Sequence, residues 1–239
     1  MKPKDRIILA LDVPDFDEAL RIVYQFEEHV GTFKVGSELF TAVGPEIIKK
    51  INTMGKKVFL DLKFHDIPNT VAKSAAAAAR LGAFMFNVHT LGGLEMMKQA
   101  AEAVRKISLE ANIDRPRLIG VTILTSIDQS VLQDELGIGL RMSAQVKHLA
   151  GLAYRAGLDG VVASPEDAGN LRAHFGKDFL IVTPGIRPSW ASPDDQKRML
   201  TPKEALRRGA DYLVIGRAIL SQPDPVNALK RIEEEIAGI

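Results

Sequence analysis

The residues best suited to chemistry lie in the segment 61–70, where charged side chains follow an apolar run. Asp61, Lys63 and Asp66 come directly after residues 57–60, which have the pattern of a buried strand. Because side chains alternate along a strand, Asp61 and Lys63 point to one face, and Asp66 can bring a second carboxylate to the same ammonium. Burying opposite charges for packing alone is costly. The spacing predicts a charge array that acts on an anionic substrate; a structural ion-pair network at a strand end is the alternative.

The elements that position these residues alternate between short apolar and longer amphipathic segments. Predicted strands cover residues 7–13, 32–36, 58–63, 84–89, 118–124, 160–163, 180–183 and 212–215. Predicted helices cover residues 15–29, 45–54, 69–81, 94–110, 143–156, 165–175, 201–208 and 225–237. Such alternation implies a parallel sheet of βαβ units. About eight units in 239 residues favour an α/β fold of the (β/α)8 TIM barrel type, a single domain over residues 1–239.

Polar and charged residues gather at the carboxyl ends of the predicted strands. In a barrel these ends converge on one mouth, where active sites are found. Two longer loops, residues 125–140 and 185–200, follow the fifth and seventh predicted strands and have the lengths expected of lids. The sequence therefore predicts one active site built from residues far apart in the chain: Asp12, Lys34, Asp61, Lys63, Thr125, Arg187 and Arg217.

Composition narrows the class of protein. With 31 basic and 30 acidic residues the net charge is +1, which gives no indication of a nucleic-acid or anionic-membrane surface. The absence of cysteine excludes disulfides and thiol chemistry and is consistent with a reducing compartment. No signal-peptide pattern and no apolar run of membrane-spanning length is present. We expect a cytoplasmic protein that binds neither nucleic acid nor membranes.

Segment 61–70 resembles the signature of the orotidine 5′-phosphate decarboxylase family. Further segments resemble the family in the expected order, so the resemblance covers nearly the whole chain: residues 8–13, 33–36, 121–126, 183–188 and 214–217. Residues 124–126 and 194–196 are most similar to the bacterial branch. The resemblance implies conversion of orotidine 5′-phosphate to UMP and CO₂ in de novo pyrimidine biosynthesis, without metal or organic cofactor.

The resemblance also implies catalytic roles for the charge array. Lys63 would donate a proton to C6 and stabilise the developing carbanion, and Asp61 would lie near the departing carboxylate. Two like charges about 4 Å apart repel by roughly 4 kcal/mol at an effective dielectric of about 20. Stabilisation of the transition state is nevertheless expected to be the main source of rate acceleration.

Substrate contacts are implied in the same way. For the phosphate, Gly216 would allow close backbone approach and Arg217 would supply a planar donor fork. Arg187 and Gln196 would complete this phosphate grip. For Arg217 alone the alternative is a solvated surface arginine, and Gln196 depends on the resemblance because loop glutamines are common.

At the other side of the mouth, Asp12 and Lys34 resemble partners of the ribose hydroxyls, and Lys34 would also contact Asp61. Thr125 resembles the residue that contacts the pyrimidine region, with Ser126 as the rival for that position.

The remaining expectation concerns a second subunit. The residues matching Asp66 and Thr70 would enter the neighbouring subunit's site, which implies a homodimer with shared active sites.

Three other functions compete with this interpretation. A sugar-phosphate enzyme of the same suprafamily, such as 3-keto-gulonate-phosphate decarboxylase, shares the Asp-x-Lys-x-x-Asp core but resembles magnesium-dependent enediolate chemistry; residues 67–70 and Gln196 favour the nucleotide enzyme. A non-catalytic phosphate-binding protein would be expected to have lost part of the charge array, but every charged position expected from the family is present. A zinc hydrolase is disfavoured because metal-ligand spacing is missing among His29, His65, His89, His148 and His174.

Overall fold

Eight parallel strands, each hydrogen-bonded to the next in sequence order, form a closed barrel in the computed structural model, which describes residues 1–191 and 200–239. The barrel closes where the last strand pairs with the first, with Ile8 opposite Val214. The predicted (β/α)8 barrel is thereby confirmed. The strands are β1 (Ile7–Ala10), β2 (Thr32–Gly36), β3 (Lys57–Phe64), β4 (Met85–His89), β5 (Arg117–Val121), β6 (Gly160–Val162), β7 (Leu180–Thr183) and β8 (Tyr212–Ile215).

Helices connect the strands and surround them. Three short helices, α1 (Pro3–Arg6), α3 (Ser37–Val43) and α10 (Arg217–Leu220), were not predicted, because helices of this length leave little periodic signal. A 3₁₀ turn (Thr90–Gly92) and a π-helical turn (Val131–Glu135) lie in the loops after β4 and β5. The helices are α1 (Pro3–Arg6), α2 (Phe16–Phe26), α3 (Ser37–Val43), α4 (Glu46–Thr53), α5 (Pro68–Arg80), α6 (Gly93–Glu110), α7 (Met142–Arg155), α8 (Ala168–Phe175), α9 (Pro202–Arg207), α10 (Arg217–Leu220) and α11 (Pro225–Ile236).

Local sequence determines where several helices begin. The Asp15 carboxylate accepts the Glu18 N–H at 2.8 Å and caps α2. Thr201 and Glu204 form a capping box in which the Thr201 hydroxyl accepts the Glu204 N–H at 3.3 Å and the Glu204 carboxylate accepts the Thr201 N–H at 3.1 Å. Pro202, at the first helical position, has the φ that a helix needs and lacks only an N–H that would have no intrahelical partner.

Two strands end three residues earlier than predicted, at Ala10 instead of residue 13 and at Val121 instead of residue 124. The backbone ladder continues for one bond beyond each: the Leu11 N–H donates to the Lys34 carbonyl at 3.0 Å, and the Thr122 N–H donates to the Val162 carbonyl at 3.1 Å. Past these bonds the chain leaves the sheet at the carboxyl end of the barrel. The apolar pattern continues for a few residues beyond the sheet, and the predicted strands are therefore too long.

The amino end of the barrel is filled by side chains. The Arg117 guanidinium donates a hydrogen bond to the Tyr212 hydroxyl and lies 5.0 Å from the centre of the Phe84 ring, which Lys57 Nζ also approaches to 4.6 Å. Above them an apolar layer fills the interior with Ile8, Phe59, Met85, Ile119, Val182 and Tyr212. Open space within the barrel therefore lies toward the carboxyl ends of the strands.

Candidate active site

A cavity of about 400 Å³ opens at the carboxyl ends of the strands. Its size falls within the range of small-molecule sites. It brings together eight of the residues predicted from the sequence, contributed by six different strands and their loops: Asp12, Lys34, Asp61, Lys63, Thr125, Arg187, Gly216 and Arg217. Gln196 lies outside the described residues. The convergence follows from the barrel, since each of these positions comes at or just after a strand end.

Four of these side chains form a row of alternating charge. Lys34 Nζ lies 2.8 Å from Asp12 Oδ1 and 3.5 Å from Asp61 Oδ2, and Lys63 Nζ lies 2.8 Å from Asp61 Oδ1. The central pair is nearly buried, with side-chain exposures of 10% for Lys34 and 13% for Asp61, whereas Lys63 and Asp12 are 35% and 51% exposed. Each charge therefore has an opposite neighbour, and the two ends of the row are accessible from the cavity.

Lys63 reaches the cavity through an irregular backbone and not through regular alternation along β3. Its φ is 52°, in the left-handed region, and the pairing of β3 with β4 shifts register between Leu60 and Phe64. Leu62 packs on the outer core, as alternation predicts. The prediction that Asp61 and Lys63 share one face is thus correct in outcome, although a bulge in the strand produces it.

Two residues at this site were missed by the sequence reasoning. Asn87 is fully buried in β4 and hydrogen-bonds both to Asp61 and to the backbone of Lys63. A polar residue in an apolar strand was the available signal, because buried amides require partners. Gly36 is the second: a Cβ at this position would lie 2.9 Å from Lys34 Nζ, so the absence of a side chain makes room for the ammonium.

The β7–β8 side of the cavity carries the guanidinium groups. Arg217 begins α10 after Gly216, where an added Cβ would lie 3.1 Å from the Ala10 Cβ; this glycine lets the end of β8 approach β1 closely. Arg187 lies in the loop after β7, where its N–H donates to the Leu200 carbonyl at 3.0 Å. Planar guanidinium donors suit phosphate oxygens, so this side can bind an anionic group.

The rest of the cavity is lined mainly by apolar side chains. They exclude water and strengthen the electrostatic interactions beside them. Thr125 and Ser126 both line this space, and both remain candidates for the polar contact predicted there. The apolar lining includes Phe59, Val121, Ile123, Val162, Pro184, Ile186, Val214 and Ile215.

Asp66 and Thr70 do not line this cavity. Among the described residues no ion pair joins Asp66 to Lys63, so the prediction that both carboxylates of one chain flank this ammonium is wrong. Asp66 is exposed and its carboxylate accepts the adjacent Ile67 N–H at 2.6 Å. The chain turns outward there to begin α5 at Pro68, which carries Asp66 and Thr70 to the surface.

His89 lies behind Lys63, stacked on His65 with ring centres 5.3 Å apart. Burial, followed by the nearby positive charges of His65 and Lys63, lowers the pKa of His89 to about 4, so this imidazole is neutral at physiological pH. Within residues 1–191 and 200–239, no group of three or more His, Asp or Glu side chains is arranged to hold a metal ion. No helix in the described part of the chain is long and apolar enough to cross a membrane.

Comparison with known proteins identifies relatives of this arrangement. The model of the orotidine 5′-phosphate decarboxylase / HUMPS family matches residues 5–232. Orotidine 5′-phosphate decarboxylase of Nitrosococcus oceani is 51% identical over 236 residues, covering 99% of each chain. The Pelobacter propionicus enzyme of that name is 54% identical over 235 residues, covering 98% of this chain and 96% of its own. The crystal structure of orotidine 5′-phosphate decarboxylase from Lactobacillus acidophilus superposes with a TM-score of 0.86 at 40% identity, covering 98% of this chain and 100% of that one.

Proposed function

Because the chain belongs to the orotidine 5′-phosphate decarboxylase / HUMPS family, we propose that it converts orotidine 5′-phosphate to UMP and CO₂ in de novo pyrimidine biosynthesis. The observation that carries this proposal is the Asp61–Lys63 pair, held at 2.8 Å in the same cavity that Arg217 and Arg187 line. A carboxylate and an ammonium in contact, in one cavity with two guanidinium groups, match a substrate that carries both a phosphate and a carboxylate.

The proposed chemistry uses Lys63 as the acid. The bond between C6 and the carboxylate breaks, its electron pair stays on C6 as a carbanion, and CO₂ leaves. The Lys63 ammonium stabilises this carbanion and transfers a proton from Nζ to C6; the amine is then reprotonated from water. Asp61, in contact with Lys63 Nζ and nearly buried, fixes the position of the ammonium and disfavours a second carboxylate beside it.

Substrate binding is assigned to the rest of the cavity. Arg217 and Arg187 bind the phosphate, with Gly216 allowing its close approach, and Gln196 remains a prediction for the same group. Phosphate binding energy, remote from C6, can be used to hold the reacting groups in place. The ribose hydroxyls are assigned to the Asp12–Lys34 pair, whose members are 2.8 Å apart. The pyrimidine contact is assigned to Thr125, with Ser126 as the alternative.

We also propose a homodimer with shared active sites. Asp66 and Thr70 are exposed and lie outside their own chain's cavity, beside Ile67, which is 66% exposed. Leu91, in the neighbouring loop after β4, is 42% exposed. Exposed apolar side chains around functional polar ones are typical of a surface that a partner covers. A second copy on this face would bring its Asp66 toward Lys63.

Residues 1–239 are proposed to act as one barrel domain, in the cytoplasm, without nucleic-acid or membrane partners. The near-neutral net charge of +1 supports the absence of a polyanion partner. A cytoplasmic location suits a phosphorylated substrate, because ionised phosphates do not enter apolar membranes readily. We propose that the reaction needs neither a metal ion nor an organic cofactor, since Lys63 and Asp61 supply both the proton and the charge.

The test is the ultraviolet absorbance of orotidine 5′-phosphate on adding purified protein, with and without EDTA. Loss of the orotate chromophore that EDTA does not slow is the expected result. Lys63→Ala, purified in parallel from the same host, should show no turnover, which excludes a contaminating host enzyme. Equal rates for the two proteins would refute the assignment of Lys63. An unchanged chromophore would refute the proposed reaction, and the same preparation would then be assayed with sugar phosphates and magnesium.

A further inference from the structure

We infer that Asn87 is a positioning residue that holds Asp61 and Lys63 in their reactive geometry, an inference that rests on the proposed decarboxylation. Asn87 is the central residue of β4 and is 0% exposed. Its side-chain oxygen accepts the backbone N–H of Lys63 at 2.7 Å, and its side-chain nitrogen donates to Asp61 Oδ1 at 2.7 Å. One buried amide thus contacts both members of the pair.

The first of these bonds stabilises an unfavourable backbone. Lys63 has a φ of 52°, which residues with a side chain adopt rarely. Between the pairs Leu60–Phe86 and Phe64–Val88, β3 advances four residues and β4 only two, so the regular ladder is interrupted at Lys63. The bulge removes the ladder partner of the Lys63 N–H, and the Asn87 oxygen replaces it. Without that acceptor a part-buried N–H would remain unpaired and the bulge would lose a bond that defines it.

The second bond orients the carboxylate. Asp61 Oδ1 accepts from Asn87 Nδ2 at 2.7 Å and from Lys63 Nζ at 2.8 Å, while Oδ2 faces Lys34 Nζ at 3.5 Å. The amide donor therefore fixes the rotation of the Asp61 carboxylate that Lys63 contacts. Asn87 thus binds the backbone N–H of Lys63 and also the Asp61 carboxylate that contacts the Lys63 ammonium. Both the backbone and the Nζ end of Lys63 are therefore positioned by one side chain of β4.

The chemistry of the site suits an amide at this position. The Lys63 N–H can only donate, and the ionised Asp61 carboxylate can only accept. A side chain between them must offer one acceptor and one donor, which an amide does at every pH and a carboxyl group does only when protonated. A role in packing alone would not explain why the Asn87 amide hydrogen-bonds to both of these groups.

Three variants test the inference. Asn87→Leu removes both bonds at similar volume. Asn87→Asp keeps the acceptor for Lys63 and loses the donor for Asp61 unless the introduced carboxyl group is protonated. Thr90→Val is the matched control: Thr90 is 0% exposed, lies three residues further along the same segment, and donates one buried hydrogen bond to the Val121 carbonyl at 2.7 Å, away from the charge row.

The readouts are kcat for orotidine 5′-phosphate, the dissociation constant of UMP from a direct titration, and thermal melting. Both Asn87 variants should lose about 100-fold or more in kcat while UMP binding changes by less than about fivefold, because the phosphate side is untouched. In Asn87→Asp the loss should shrink toward acid pH, where the protonated carboxyl donates to Asp61. Thr90→Val should show a lower melting temperature with kcat within about threefold of wild type.

Several outcomes would overturn the inference. One is a kcat within about threefold of wild type in the folded Asn87 variants, whatever their melting temperatures. Another is a pH profile of Asn87→Asp that parallels wild type, which decides the matter if Asn87→Leu does not fold. A wild-type protein that leaves orotidine 5′-phosphate unchanged would refute the proposed function itself, a result separate from any difference among the variants.

Discussion

The Lys34 ammonium occupies space that exists only because Gly36 lacks a side chain: a Cβ built on Gly36 would lie 2.9 Å from Lys34 Nζ. The same Cβ would lie 3.4 Å from Asp12 Oδ1, so it would press on both members of the Asp12–Lys34 pair. The φ of Gly36 is −92°, which any residue adopts, so the backbone does not demand glycine here. Room for the charge row is therefore the requirement at this position.

Gly36→Ala should reduce kcat/KM by roughly 10- to 100-fold, corresponding to about 1.4–2.7 kcal/mol of lost transition-state stabilisation. Its melting temperature should change little, because the end of a flexible lysine can move away. Steady-state kinetics and thermal melting measure the two effects. Gly151→Ala, where a Cβ would meet nothing within 4 Å, is the control and should keep full activity. Normal kinetics for Gly36→Ala would show that the row tolerates displacement of Lys34.

Arg217→Ala should raise KM by about 30- to 150-fold with a much smaller effect on kcat. The guanidinium is assigned to the phosphate, and a charge-assisted, bidentate contact contributes about 2–3 kcal/mol to binding. Initial rates over a range of orotidine 5′-phosphate concentrations separate the two constants. Arg207→Ala is the matched control, because this exposed arginine at the end of α9 carries the same charge and does not line the cavity. A change in kcat alone would place Arg217 at the reacting end of the substrate.

Mixing two inactive variants tests the shared site. Lys63→Ala and Asp66→Ala should each be nearly inactive, and co-refolding them should restore about a quarter of wild-type activity. Random pairing makes about half of the dimers mixed, and each mixed dimer has one site with both residues intact. Activity of the mixture is compared with that of each variant refolded alone.

The restored activity distinguishes the two arrangements. If Asp66 served its own chain, every site in a mixed dimer would lack one residue and mixing would restore nothing. A monomer at assay concentration, measured by sedimentation, would refute the dimer directly.

His89 should make stability depend on pH. Burial, with smaller contributions from His65 and Lys63, lowers its pKa from 6.5 to about 4 in the folded protein. Between these values the unfolded chain binds the proton and the folded chain does not, so the free energy of unfolding should rise from pH 4 to 6.5 and then level off. The full shift corresponds to about 3 kcal/mol, and solvent screening of the partly exposed ring reduces the expected effect to roughly 1–2 kcal/mol.

Chemical denaturation at fixed protein concentration from pH 4 to 8 measures this dependence. His89→Asn, which keeps an acceptor for the Leu91 N–H, should reduce the total rise in unfolding free energy between pH 4 and 6.5 by that amount. Identical slopes for the two proteins would show that His89 titrates normally.

Local patterns in the sequence were sufficient for the barrel and for the location of the site. Strand and helix periodicities depend on neighbouring residues, and so do the caps at Asp15 and Thr201. Once the units alternate eight times, the convergence of strand ends follows from the fold, which is why Asp12, Lys34 and Arg217 could be placed at one mouth without knowledge of any contact.

The contacts between strands depend on the tertiary structure. Asn87 meets Asp61 across 26 positions of sequence because β3 and β4 pair in a particular register, with a bulge that places Lys63 at a positive φ. Register and bulges depend on how the whole sheet closes, and a periodic pattern does not encode them. The outward turn at Asp66 is likewise set by the packing of α5 against its neighbours. Local sequence patterns placed most of these residues at the mouth, whereas the closure of the sheet set which of them touch.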